Sequence, residues 1–156
     1  MVMRPQQPLT LFMSYSQKDE AFKQEFEDYL VNFQQAQLIS GWAERQVQPG
    51  IDWSQVIDAR LATAQIFLLF LSPSILSSGY CSGAEFRAAW QRRNTGDGHM
   101  IPISSRFVDL TGHPLNSILH IPRGAKPVSS WPRRSEAWAA IYQDIRRVIQ
   151  QYQSNH

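Results

Sequence analysis

Cysteine is almost absent from this sequence of 156 residues, in which Cys81 is the only one. A single cysteine excludes an internal disulfide and suits a reducing compartment. A signal peptide is not expected, because residues 1–10 lack an apolar central segment. The apolar run Ile66–Leu71 has six residues and is far too short to cross a bilayer. We therefore expect a cytoplasmic protein without a membrane segment.

Charge of one sign is also scarce, with a formal net charge of +2 at pH 7. Such a weak excess does not indicate binding to nucleic acid, and the local arginine pairs are expected on solvated helix faces. Apolar residues make up 43% and charged residues 18%, which is typical of a folded chain rather than a disordered one. The length predicts one domain, at residues 9–152, between a flexible tail at 1–8 and a short tail at 153–156.

Several nucleotide-binding and catalytic motifs are missing. The chain has no G-x-G-x-x-G fingerprint and no Walker loop. It also lacks the G-x-S-x-G elbow of the α/β-hydrolases. The histidines stand in or beside predicted loops without zinc-ligand spacing, at His99, His113, His120 and His156. We therefore expect no bound metal and no cofactor.

Apolar periodicity predicts strands that alternate with helices. Strands are predicted at 9–14, 37–42, 66–71 and 99–104, with a short fifth strand near 126–129. Helices are predicted from Ser16, from Asp52 or Ser54 with Ile57 facing inward, over 82–93, and over a final apolar stripe that ends at 152. Residues 43–52 are predicted to form a loop. Asp19, three residues after Ser16, fits a capping box.

This alternation predicts an α/β domain with a flavodoxin-like, three-layer fold. We expect a central parallel sheet of about five strands in the order 2-1-3-4-5, with helices on both faces. Ligands of such sheets bind outside the carboxyl ends of the first and third strands. The first strand ends at Ser14 and Tyr15, and Ser72 follows the third. Glu85, in the first turn of the next helix, is expected near the rim of that crevice. Periodicity alone predicts a surface position for it, which the helix dipole favours.

Two other proteins of this fold class are excluded by the same positions. A phosphate-accepting receiver domain needs acidic residues after the first strand and an aspartate at the end of the third. Ser14 and Ser72 occupy those places here. A flavodoxin needs a phosphate loop rich in Ser, Thr and Gly, and "SYSQKDE" is not one.

Four segments, in order, resemble the boxes of a Toll/interleukin-1 receptor (TIR) domain of the bacterial type. "LTLFMSYSQKDEAF" resembles the first box, and "GWAERQVQPGIDW" resembles the loop after the second strand. "LFLSPSILSSGYCSGAEF" is similar to the third box, and "KPVSSWPRRSEAW" is similar to the entry of the last helix. Each box alone is a weak signal. The resemblance is strong because the boxes follow one another at the family's spacing over about residues 9–149.

The resemblance implies an enzyme that hydrolyses or cyclises NAD+ when it assembles, with NAD+ as its substrate rather than a cofactor. Glu85 matches the position of the family's catalytic glutamate. Ser14 and Tyr15 match residues of the first box that line the pocket, and Ser72 is a further candidate for hydrogen bonding to the substrate. Gly83 departs from many bacterial members, which carry an acid two positions before the glutamate. On this interpretation Glu85→Gln removes turnover and hardly changes the melting temperature.

The loop that follows the second strand is implied to cover the pocket and to make contacts in self-assembly. Its candidate residues are Glu44, which replaces the family's aspartate, together with Arg45, Pro49, Gly50 and Trp53. The expected partners are NAD+, other TIR domains and a sensor domain in a longer parent chain, in prokaryotic immune defence. A second interpretation is a non-catalytic scaffold that signals by homotypic assembly and does not need the glutamate. The product and the activating signal stay open.

Overall fold

The computed structural model describes residues 7–124 and 126–155. Its elements are β1 (Leu9–Ser16), α1 (Glu20–Gln35), β2 (Ile39–Val47), β3 (Ile66–Leu71), α2 (Pro73–Ser77), α3 (Ala84–Asn94), β4 (His99–Ser104) and α4 (Arg134–Asn155). Residues 1–6 of the predicted N-terminal tail, and His156, lie outside the described residues. The segment predicted as a C-terminal tail is part of α4, which continues to Asn155.

The sheet has four parallel strands in the order β2-β1-β3-β4, so the predicted flavodoxin-like α/β fold is confirmed with one strand fewer. In the described residues near 126–129 there is a 3-10 turn at Val128–Ser130 instead of a fifth strand. A single bridge pairs Ile121 with Ile103 beside β4.

Hydrophobic cores cover both faces of the sheet. The first core lies between the sheet and helices α1 and α4, and includes Phe26, Phe70 and Trp138. The second core, on the opposite face, includes Phe12 and Phe86. β3 supplies residues to both cores and is buried along its whole length, as its continuous apolar run predicted. None of the helices in residues 7–124 and 126–155 has both the length and the hydropathy of a membrane span.

The segment between β2 and β3 differs most from the sequence prediction. β2 continues to Val47, because its ladder with β1 extends from Leu9–Ile39 to Ser16–Val47. The predicted helix after it is wrong: only a 3-10 turn forms, at Ala59–Thr63, and Ile57 is 55% exposed.

The side chains of two aspartates explain the missing helix. Asp52 accepts a hydrogen bond from the backbone N–H of Ser54, and Asp58 accepts one from that of Arg60. Such local bonds give the backbone an alternative to helical pairing. The segment therefore lies on the domain as an ordered loop.

The start of the first helix also differs in detail. Ser16 accepts a hydrogen bond from the N–H of Lys18, but it caps a 3-10 turn, and α1 begins only at Glu20. The capping box predicted with Asp19 is wrong, because the Asp19 carboxylate accepts instead from Arg106 Nε at 2.8 Å. That contact joins the end of β1 to the segment after β4.

Candidate active site

Glu85 lies in the first turn of α3 and is only 1% exposed, so the surface position predicted from periodicity is wrong. Close packing between the start of α3 and the loop after β2 buries it. The N–H of Ala84 donates to the carbonyl of Trp53 at 3.0 Å. A Cβ atom at Gly83 would lie 2.5 Å from the same carbonyl oxygen, so only glycine permits this approach.

The Glu85 carboxylate accepts four hydrogen bonds. Arg45 donates from Nε to Oε1 at 3.1 Å and from Nη2 to Oε2 at 2.8 Å. The Tyr80 hydroxyl donates to Oε1 at 2.7 Å, and the backbone N–H of Asp58 donates to Oε2 at 2.9 Å. An ionised carboxylate has about four lone-pair sites, so all of its accepting capacity is used.

Tyr80 connects this carboxylate to the end of β1. Its hydroxyl lies 2.7 Å from Ser14 Oγ as well as 2.7 Å from Glu85 Oε1. The ionised carboxylate can only accept, so Tyr80 donates to Glu85 and Ser14 donates to Tyr80. Burial, followed by the negative charge of Glu85, raises the pKa of Tyr80 well above its ordinary value. Tyr80 therefore keeps its proton and remains a donor.

Trp53 packs against the two side chains that donate to Oε1. Its ring lies 5.6 Å from the Arg45 guanidinium and meets the Tyr80 ring edge-on at 5.4 Å. The hydrogen bonds to Glu85 are the main reason why the pKa of Arg45 is raised. The indole Nε1 of Trp53 is buried, and it has no hydrogen-bond partner within the described residues. The site is thus closed by an aromatic residue whose own donor is unsatisfied.

The strand alternation divides the sequence-predicted residues between the two faces of the sheet. Ser14 pairs in register with Arg45, and both side chains lie on the Glu85 side. Tyr15, the next residue, belongs to the first core on the opposite face. The Lys23 ammonium lies 5.3 Å from the Tyr15 ring, and burial raises the pKa of that tyrosine. The structure therefore separates Tyr15 from Glu85.

The remaining predicted residues make no hydrogen bond or ion pair with the Glu85 carboxylate, whose partners among the described residues are Arg45, Tyr80 and the Asp58 N–H. Glu44 is in β2 rather than a loop and pairs with Lys23 at 3.3 Å, on the Tyr15 side. Ser72 is buried and accepts from the N–H of Ile75, so it caps α2. Pro49 and Gly50 are exposed in the turn after β2, where Gly50 has a φ of +80°.

Sequence reasoning missed two of the groups that hold Glu85 and assigned a third differently. Tyr80 had a signal, because it stands in the third box beside Cys81, but that box did not indicate its contacts. Asp58 donates through its backbone N–H, and a backbone donor cannot be recognised from the type of residue in the sequence. Arg45 was assigned to assembly, and the structure places it in β2 in contact with the glutamate.

The arrangement offers one carboxylate for chemistry. Among residues 7–124 and 126–155 no group of three or more His, Cys, Asp or Glu side chains is placed to hold a metal ion. A buried carboxylate stabilises a positive charge that forms beside it far better than a carboxylate in water does. The Arg45 cation occupies that position in this structure.

Comparison with known proteins identifies relatives of this chain. A sequence model of the family described as "TIR domain" matches residues 11–144. A Sinorhizobium fredii protein named "Uncharacterized protein y4lF" is 31% identical over 139 residues, which is 89% of this chain. The chain spans 43% of the length of that relative.

Proposed function

The chain belongs to the TIR domain family, and from this premise we propose that it cleaves the nicotinamide–ribose bond of NAD+ after self-assembly. The observation that carries the proposal is Glu85, a carboxylate held by four donors at the family's catalytic position. NAD+ is the substrate and not a cofactor. The proposal covers hydrolysis and cyclisation, and the physiological role that we propose is prokaryotic immune defence in the cytoplasm.

The proposed chemistry needs one carboxylate and no metal. The bond between ribose C1′ and the nicotinamide nitrogen breaks, and its electron pair stays on nitrogen, so nicotinamide leaves as a neutral molecule. Positive charge then grows on the ribose, as in other oxocarbenium-like sugar transfers. Water that adds to C1′ and loses a proton completes hydrolysis, whereas attack by an adenine nitrogen gives a cyclic product.

Each group around Glu85 has a part in this proposal. The Tyr80 hydroxyl and the Asp58 N–H fix the carboxylate in one orientation, since each donates to a different oxygen. Ser14 orients Tyr80 by donating to its hydroxyl. A charge that is held in place before the reaction does not have to reorganise during it, which is the main advantage of such a site.

The loop after β2 supplies the proposed assembly contacts. TIR domains in general associate with one another. Ile51 and Ile57 are exposed on either side of the buried Trp53, so this loop offers apolar contacts beside the active site. We propose other TIR domains as partners through this loop, and a sensor domain in a longer parent chain as the source of the activating signal.

The test is incubation of concentrated wild-type protein with NAD+, followed by chromatography of the products. We expect free nicotinamide from the wild type and at least roughly a hundredfold less from Glu85→Gln. Glu136→Gln is a matched control, because Glu136 is also an acid in the first turn of a helix but is exposed and pairs with Arg133. Equal nicotinamide release by wild type and Glu85→Gln would refute the catalytic assignment.

A second candidate function is a non-catalytic scaffold that signals by homotypic assembly. The observation that favours it is that Glu85 has no free lone pair and is 1% exposed, as expected of a purely structural ion pair. A wild type that assembles without releasing nicotinamide, and a Glu85→Gln variant that still signals in cells, would support the scaffold.

A further inference from the structure

The closed state of the Glu85 carboxylate raises a problem that bears on the proposed function. A substrate ribose gains nothing from a carboxylate whose four accepting sites are filled. A carboxylate paired with a guanidinium is also neutralised, so it stabilises a ribosyl cation poorly. At least one of the three donor groups must leave before the site can work.

Burial indicates which donor leaves. The Asp58 donor is a backbone N–H and cannot rotate away on its own. Tyr80 is 0% exposed and is held by Ser14 and Trp53. The Arg45 side chain, by contrast, is 26% exposed and has a long, flexible stem. Arg45 is therefore the donor with a path out of the site.

We infer that Arg45 exchanges Glu85 for the diphosphate of the substrate, so that it blocks the carboxylate at rest and binds the dinucleotide when the site is loaded. This inference rests on the proposed function. A guanidinium presents the same forked pair of N–H donors to a phosphate as to a carboxylate. The diphosphate is attached to the same ribose whose bond to nicotinamide breaks, so a ribose placed against Glu85 brings its own phosphate near the Arg45 side chain.

The exchange changes the net charge that Glu85 presents to the ribose. At rest, the positive Arg45 and the negative Glu85 neutralise each other. After the exchange the diphosphate neutralises Arg45, and Glu85 regains a full negative charge beside the ribose. The site thus acquires its reactive charge only with a ligand that carries a diphosphate, which makes Arg45 a specificity-determining residue.

Trp53 is placed to accommodate this movement. Its ring is already within cation–π distance of the guanidinium, at 5.6 Å, and such a contact tolerates sliding of the guanidinium across the ring. Its buried indole N–H is unsatisfied among the described residues, so the closed arrangement does not use every donor. A rearrangement of this loop would break present contacts of Trp53, but it could also give the indole N–H a hydrogen-bond acceptor.

Binding of ADP-ribose, measured by titration calorimetry, tests the exchange without requiring turnover. ADP-ribose carries the diphosphate and has no nicotinamide to release. In Glu85→Gln the resting partner of Arg45 loses its charge, so we expect affinity for ADP-ribose to rise about tenfold over wild type. Arg45→Ala should weaken binding in the wild-type background by about tenfold, and it should abolish the gain in the Glu85→Gln background.

Two controls keep the test specific. Arg133→Ala removes an exposed arginine that pairs only with Glu136 among the described residues, and it should leave ADP-ribose affinity unchanged. If Glu85→Gln does not fold, Arg45→Lys replaces it. Lysine keeps the charge but loses the fork, so affinity should lie between those of wild type and Arg45→Ala.

The outcomes separate the exchange from the proposed function. If Glu85→Gln raises ADP-ribose affinity only when Arg45 is present, the exchange is supported. If the wild type also releases no nicotinamide, the NAD+-cleaving proposal is refuted but the exchange is not. If nicotinamide release depends on Glu85 but Arg45→Ala does not change ADP-ribose affinity, the Arg45 exchange is refuted and the NAD+-cleaving function is retained. Absence of ADP-ribose binding to every variant would also overturn it.

Discussion

Glutamine at position 85 removes the charge from a buried group that accepts four hydrogen bonds, while it keeps nearly the same volume. The amide has one oxygen, and each carboxylate oxygen accepts two of the four bonds, so two of the donors must face its NH₂ group. Hydrogen bonds to charged groups contribute about 1.5–3 kcal/mol, and removal of one partner of a fully buried ion pair costs about 3–5 kcal/mol. Because Arg45 reaches solvent, we expect the free energy of unfolding to fall by about 2–3 kcal/mol.

The assay is thermal and urea denaturation followed by circular dichroism. For a domain of this size, roughly 1 kcal/mol changes Tm by about 2–4 °C, so a loss of about 2–3 kcal/mol should lower Tm by roughly 4–12 °C. Glu136→Gln, at an exposed first-turn position, should stay within about 0.5 kcal/mol of wild type. The unchanged Tm expected from the sequence assumed a surface residue, and the burial of Glu85 replaces that expectation. A Glu85→Gln protein as stable as wild type would refute the four-bond arrangement.

Four further substitutions test particular contacts. Tyr80→Phe removes the hydroxyl between Ser14 and the carboxylate, so urea denaturation should show a loss of about 1–3 kcal/mol, and equal stability would contradict the link. Gly83→Ala forces a Cβ to 2.5 Å from the Trp53 carbonyl and should cost about 1–3 kcal/mol with altered tryptophan fluorescence; an unaltered spectrum would count against this packing. Gly50→Val, at a φ of +80° with open space around it, should leave the fold intact but reduce oligomers and activity together, and unaffected light scattering and turnover would exclude an assembly role. Partial burial raises the pKa of Cys81 to about 12, so the unfolded thiol ionises first and stability falls as pH rises from about 9 to 12; Cys81→Ala should flatten that part of the pH–stability curve, and an unaltered curve would contradict the raised pKa.

Local patterns in the sequence were sufficient for most of the framework. The continuous apolar run of β3 is buried on both faces, and the helical stripes of α1 and α4 pack into the first core, as predicted. These elements can be predicted because the spacing of apolar residues along a short segment already indicates a strand or a helix. The four boxes identified the family for the same reason, since each is a short contiguous segment. They also placed Glu85 correctly in the first turn of α3.

Predictions from local sequence pattern were wrong where side-chain hydrogen bonds or long-range strand pairing determine the backbone conformation. The predicted helix before β3 does not form, because Asp52 and Asp58 bind the local backbone instead. β2 extends beyond its predicted end at residue 42, because β1 pairs with it as far as Val47. Neither effect is visible in the hydrophobic pattern of the segment concerned.

The environment of Glu85 is the part that only the tertiary structure decided. Its partners Arg45 and Asp58 stand 40 and 27 residues earlier in the chain, and Ser14 lies 66 residues before Tyr80. The sequence by itself determined that an acid opens α3, but it predicted Ser14 and Tyr15 together in the pocket, and only the structure separates them. The sequence did not determine which side holds the acid, because that depends on how the loop after β2 packs against Gly83. Burial and charge pairing arise from contacts between distant segments, so they exist only once the chain has folded.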